Sequence, residues 1–247
     1  MAELVYPPVI AAAKVLFRVL DLRIRVEGAE HVPTSGGAVL ACNHVSYLDF
    51  IFAGLGALPA GRRVRFMAKQ EVFAHRIGGP LMRGMRHIPV DRAAGAASYR
   101  AALAALRAGE VVGVFPEATI SRSFTVKELK TGAGRMASSA GVPLVPMAVW
   151  GTQRLWTKGR PRTLTRRHLP ITILVGEPIT VGRRDDQAAA LATLRDRMAG
   201  LLDRAQREYP DRPAGPQDTW WLPAHLGGSA PTPQEAAALD EGPGGGD

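Results

Sequence analysis

Apolar residues fall into short continuous runs near 22–27, 37–42, 64–68, 86–90, 111–115, 144–149 and 170–176. Such runs are too short for ordinary helices and read as buried strands. Between them, residues near 46–58, 93–107 and 130–140 carry helical spacing. This alternation predicts an α/β chain, a single domain with a mixed central sheet flanked by helices. The alanine-rich 93–107 helix closes at Gly109, as a helix C-terminus should. Residues 186–208 predict a further amphipathic helix with Leu191, Leu194, Met198, Leu201 and Ala205 on one face, an aspartate at its start and Pro210 after its end.

At the N-terminus, Val9, Ala13, Leu16 and Leu20 recur at helical spacing, while Lys14, Arg18 and Asp21 gather on the opposite side. The run of about 16 residues would reach only about 24 Å as a helix, short of a bilayer core of about 30 Å. Residues 1–30 are therefore expected to form an amphipathic segment lying on a membrane surface, with packing on the protein's own core as the competing reading. Residues 31–209 form the expected main domain. From 210 to 247, proline, glycine and acids dominate, which predicts a largely disordered tail. Trp220 and Trp221 interrupt that tail, and either dock on the domain or touch lipid.

Charge sharpens this division. The chain carries +9, yet residues 210–247 hold six acids and one base, so the first 209 carry +14. A surface of that sign attracts anions. With 6% aromatic residues and no nucleic-acid reader motif, the expected partner is an anionic membrane surface or a phosphorylated substrate, and not nucleic acid. The single cysteine, Cys42, allows no internal disulfide and suits a reducing compartment. Neither a Walker loop nor a complete Gly-x-Gly-x-x-Gly nor a zinc-binding spacing is present, so no metal or nucleotide cofactor is expected.

The candidate chemistry begins at Asn43-His44-Val45-Ser46-Tyr47-Leu48-Asp49, which places an imidazole and a carboxylate five residues apart just after the 37–42 run. If a helix starts at Ser46, Asp49 falls in its first turn and can turn back to accept an N–H from the His44 ring. That bond would fix the tautomer and support the imidazolium formed when His44 takes a proton. No Gly-x-Ser-x-Gly elbow occurs and Cys42 lies inside an apolar run, which disfavours a covalent intermediate on the enzyme. Direct attack by a hydroxyl activated by His44 is the simpler mechanism.

Three more blocks follow in order. Gly84-Met85-Arg86-His87-Ile88-Pro89-Val90-Asp91-Arg92 sets basic residues at both ends of a strand, Val111 to Thr119 runs a strand into a turn carrying Glu117 and Thr119, and Gly141 to Val149 is an apolar strand bracketed by prolines. Together with the first block they resemble the glycerolipid acyltransferase family, best known for the lysophosphatidic acid (1-acylglycerol-3-phosphate) acyltransferases, over roughly residues 35–180. The resemblance implies that His44 and Asp49 are the catalytic dyad, that Arg92 holds the acceptor's phosphate, and that Glu117 and Thr119 belong to the acceptor-binding block. It also matches Lys69 to a basic position of the family. The family's usual Phe-Pro-Glu-Gly-Thr-Arg reads Phe115-Pro116-Glu117-Ala118-Thr119-Ile120 in this chain, which removes a guanidinium suited to phosphate and leaves Arg122 as a substitute.

The activity so implied is transfer of a fatty acyl group from acyl-CoA or acyl-carrier protein to lysophosphatidic acid, giving phosphatidic acid in phospholipid biosynthesis. The implied setting is peripheral, at the cytoplasmic face of the cell membrane. Ala118 and Ile120 keep a second acceptor open, another lysolipid or a glycolipid; a peripheral lipid-binding protein without turnover is the reading from a different class.

Overall fold

A computed structural model describes residues 4–91 and 95–241. In chain order its strands are β1 (Arg23–Glu27), β2 (Ala38–Cys42), β3 (Val64–Lys69), β4 (Ile88–Val90), β5 (Val111–Val114), β6 (Leu144–Trp150) and β7 (Pro170–Val175). The longer helices are α1 (Tyr6–Val19), α2 (Asp49–Ala57), α3 (Gln70–Ala74), α4 (Gly78–Gly84), α5 (Gly95–Arg107), α6 (Gly132–Ala140), α7 (Gln187–Arg207) and α8 (Pro233–Glu241). The strands form one seven-stranded sheet in the order β1-β7-β6-β2-β5-β3-β4. Every pairing is parallel except β6 with β7, so the sheet is mixed, as expected.

Continuous apolar runs serve these strands because both faces of the sheet are covered. Along β2, Val39 and Ala41 enter a core with α5, α6 and α7, while Ala38, Leu40 and Cys42 enter a second core with Phe17 of α1 and Phe52 of α2. Strand β6 alternates in the same way, sending Ala148 and Trp150 to the first core and Met147 and Val149 to the second.

Two expectations need correction. In α1 the core-facing residues are Tyr6 and Phe17, supported by Val9, Ile10 and Ala13, whereas Leu16, assigned to the apolar face with Val9, points out to solvent beside Val15 and Val19. The aromatic rings at Tyr6 and Phe17 set the rotation of the helix, since each buries more area than Leu16 would. The tail expected to be largely disordered from 210 onward instead packs on the domain through residue 241. Trp221 is buried against Tyr209 with the Arg154 guanidinium 4.3 Å over its ring, and Arg154 also pairs with Asp211 at 2.6 Å. The last residues, Gly242 onward, lie outside the described part.

Candidate active site

Strands β2, β5 and β6 run parallel, so their carboxyl ends deliver side chains to one edge, the edge at which open α/β sheets bind ligands. His44 follows β2, Glu117 follows β5 and Thr152 follows β6. Strand β3 ends nearby with Lys69, which lies opposite Val90 of β4 in register. Arg92 comes just after Val90 but lies outside the described residues.

The chain does not become helical at Ser46. It first makes a turn over Val45–Leu48, in which the Leu48 N–H donates to Ser46 Oγ at 3.1 Å, and Asp49 is then the first residue of α2. That turn folds the backbone back over the carboxylate. Asp49 Oδ2 accepts the N–H groups of Val45 and Ser46, both at 2.7 Å, and lies 3.1 Å from His44 Nδ1. The other oxygen, Oδ1, accepts the Thr152 hydroxyl at 2.5 Å. Asp49 is fully buried, whereas the His44 side chain keeps 20% of its surface open.

The hydrogen-bond network assigns the tautomer. Two backbone N–H groups can only donate, so Asp49 Oδ2 is an acceptor and His44 Nδ1 carries the hydrogen, which leaves the lone pair on Nε2. The imidazole also stacks on Phe115, centroid to centroid 4.3 Å, and Phe115 in turn stacks on Phe66 at 5.8 Å. Gly113 of β5 is what admits Phe66 to this stack, since a Cβ there would come within 2.5 Å of the Phe66 ring.

Glu117 is tied to the same loop. Its Oε1 accepts the backbone N–H of His44 at 2.8 Å and its Oε2 that of Lys127 at 3.0 Å, while the His44 carbonyl accepts the Ser121 N–H at 2.7 Å. Burial pushes the Glu117 carboxyl up to about 8, against the pull of those two N–H groups. Its position makes it a brace of the His44 backbone. Thr119 is half-buried on the same turn, and Ile120 is buried. Ala118 stands at φ 61°, a left-handed conformation that costs an L-residue about 1 kcal/mol, which explains why glycine suits this place. Arg122 forms an ion pair with Asp240 of α8 at 3.2 Å.

Thr152 escaped the sequence reading because it stands 103 residues from Asp49 and in a segment with no motif of its own. Thr152→Val keeps the shape but leaves Asp49 Oδ1 without its hydroxyl donor. It is expected to lower stability by about 1–3 kcal/mol and to slow turnover, with Thr152→Ser restoring most of both. Denaturant midpoints and initial rates of the two variants check this.

The fold and the dyad together define an α/β site with an oriented general base at the carboxyl edge of its sheet. Residues 23–150 match the family model described as Acyltransferase. The chain is 33% identical over 173 residues to the 1-acyl-sn-glycerol-3-phosphate acyltransferase of Bacillus subtilis, covering 68% of this chain and 80% of that one. It is 32% identical over 177 residues to the enzyme of the same name from Limnanthes douglasii, covering 68% of this chain and 60% of that one. Among solved structures, the 1-acyl-sn-glycerophosphate (LPA) acyltransferase from Thermotoga maritima shares the fold, with a TM-score of 0.66, 22% identity, and coverage of 83% of this chain and 81% of that one. The chain belongs to the acyltransferase family.

Proposed function

We propose that this enzyme transfers a fatty acyl group from acyl-CoA or acyl-carrier protein to the free hydroxyl of lysophosphatidic acid, giving phosphatidic acid. The observation that carries the reading is the His44–Asp49 pair, with its tautomer set for base catalysis, in a chain similar to enzymes that bear this name. His44 Nε2 takes the proton of the acceptor hydroxyl as its oxygen attacks the thioester carbonyl. Collapse of the tetrahedral intermediate expels the thiolate, which recovers the proton from His44. Asp49 holds the ring through both steps, and Phe115 stacks on its face.

We place the enzyme peripherally, on the anionic cytoplasmic face of the cell membrane. No helix among the described residues is long and apolar enough to cross a bilayer. Val15, Leu16 and Val19 of α1 are 63%, 54% and 59% exposed, and Ile77 beside α4 is 71% exposed. Lys14, Arg18 and Arg76 are interspersed among these apolar side chains, a mixture suited to an anionic lipid surface.

The test is thiol release from long-chain acyl-CoA or acyl-carrier-protein donors, with and without lysophosphatidic acid, followed by mass analysis of the lipid. Acceptor-dependent release with phosphatidic acid formed is the expected result. Release only with another lysolipid or a glycolipid would keep the chemistry and replace the acceptor. The buried Ile120 motivates that second reading, because it removes a guanidinium from the acceptor block. No release with any donor would leave a lipid-binding protein.

A further inference from the structure

Of the two adjacent tryptophans in the tail, Trp221 is buried and reaches toward the catalytic carboxylate through the turn that follows β6. Thr152, whose hydroxyl donates to Asp49 Oδ1 at 2.5 Å, opens that turn, a single 3₁₀ turn over Thr152–Arg154. All three of its residues are buried. So short a 3₁₀ segment has too few hydrogen bonds of its own to fix its place. Its side chains do so instead.

Gln153 Oε1 accepts the Gly151 N–H at 2.9 Å, and Gln153 Nε2 donates to the Trp221 carbonyl at 3.2 Å. Arg154 Nη1 donates to Asp211 Oδ2 at 2.6 Å and to the Tyr209 hydroxyl at 3.3 Å, while the guanidinium carbon lies 4.3 Å from the centre of the Trp221 ring. The Arg154 side chain is 4% exposed, and its Nε meets no acceptor among the described residues. A buried guanidinium with an unmatched N–H is costly, and an aromatic face against it offsets part of that cost. Trp221 therefore does more than fill the core. Its ring supports the charge of Arg154 and its carbonyl ties Gln153.

Thr152 is β-branched, so its hydroxyl follows the backbone of the turn with little freedom at χ1. A displacement of the turn is carried to Asp49 Oδ1, and Asp49 sets the tautomer and orientation of His44. The same strip meets the catalytic loop at two further points. The Trp156 carbonyl accepts the Ser46 hydroxyl at 2.6 Å, and the Thr157 hydroxyl donates to the Val45 carbonyl at 2.7 Å.

We propose that Trp221 is a positioning residue for the dyad: by holding Arg154 and Gln153 it fixes the Thr152 turn, and so holds the Asp49 carboxylate in the place that orients His44. Only the kinetic part of its test rests on the acyl transfer proposed above.

The experiment uses the full chain. Turnover and KM for both substrates are measured in Trp221→Leu, Trp221→Phe, Thr152→Val and the Trp221→Leu/Thr152→Val double variant, with urea midpoints as the measure of folding. Trp221→Leu is expected to lower kcat about tenfold, on the scale of misplaced catalytic groups, with both KM values little changed. Trp221→Phe keeps a ring over Arg154 and should restore most of the rate. In the Thr152→Val background, Trp221→Leu should lower the urea midpoint again but leave kcat where Thr152→Val had put it. The ¹⁵N shifts of the His44 ring need no substrate; they should move in Trp221→Leu in the same direction as in Thr152→Val and keep their wild-type values in Trp221→Phe. If Trp221→Leu fails to fold, Asp211→Asn takes its place, because it removes the Arg154 carboxylate at a partly exposed position, where the other cation, Arg23, is exposed.

Wild-type kcat in a folded Trp221→Leu, or unmoved His44 shifts, would overturn the proposal. So would a full second loss of kcat in the Thr152→Val background, which would route the effect through Trp156 and Thr157. A wild type that forms no phosphatidic acid while its His44 shifts follow Trp221 keeps the positioning role and loses the reaction. One that forms it while kcat ignores Trp221 keeps the reaction and loses the role.

Discussion

His44→Ala is expected to reduce kcat for acyl transfer by roughly 10³-fold, the usual scale for a positioned general base, while leaving the fold nearly intact. The reason is the uneven dependence within the dyad. Without the imidazole, Asp49 still accepts the Val45 and Ser46 N–H groups and the Thr152 hydroxyl, so its buried carboxylate keeps its remaining donors. The void left by the ring opens to solvent on the side where His44 is exposed. Asp49→Asn should behave differently. With its NH₂ at the Oδ2 place the asparagine leaves two backbone N–H groups without an acceptor, and with its NH₂ at the Oδ1 place it leaves the Thr152 hydroxyl hydrogen without one, at about 1–3 kcal/mol for each donor left unsatisfied in the interior. Turnover therefore falls in both variants, but the denaturant midpoint falls clearly only in Asp49→Asn. Thiol release and urea unfolding of the pair check the distinction, and unchanged turnover in His44→Ala would remove the imidazole from the mechanism.

What was legible in the sequence was what is local. All seven strand runs lie within two residues of the observed strands, because a sheet covered on both faces turns its strands into continuous apolar runs. The dyad was legible because its members are five residues apart, although the helix begins at Asp49 and not at Ser46. Helices α3 and α4 had gone unread. The stretch from Gln70 to Gly84 is broken by His75, Gly78, Gly79 and Pro80, which erases any long helical period. Thr152, Gln153 and Arg154 were invisible for another reason: each owes its role to a partner far along the chain, and no spacing encodes such a partner. The tail misled through its composition. Proline and glycine counts measure how little apolar area a segment can bury in total, not whether a single Trp221 finds a place against Tyr209 and Arg154. The same segment then holds the turn that carries Thr152, so the part of the chain that looked least structured reaches the catalytic carboxylate.

Glu117→Gln is expected to destabilise the protein by about 1–3 kcal/mol and to remove a pH dependence that the wild type shows between pH 6.5 and about 8. Both Glu117 oxygens accept backbone N–H groups, from His44 and Lys127. A protonated carboxyl retains a lone pair on its hydroxyl oxygen for one of them, but an amide nitrogen has none to offer. The substitution therefore breaks a bond at every pH, and the His44 backbone loses its brace, so turnover should fall as well. The pH dependence follows from burial, which raises the carboxyl from 4.5 to about 8. Between those values the folded protein binds a proton that the unfolded chain releases, so stability falls as pH rises through the window. His87 acts in the opposite sense. Burial, with the nearby Arg65 charge, lowers it from 6.5 to about 4, so its contribution is present above 6.5 and is lost as pH falls through about 4. The two offset each other below pH 6.5, and from there to about 8 the Glu117 effect stands alone. Urea unfolding at these two pH values should show wild type weaker at the higher one and Glu117→Gln unchanged between them; a wild type with equal stability at both would show that Glu117 is already ionised in the folded protein.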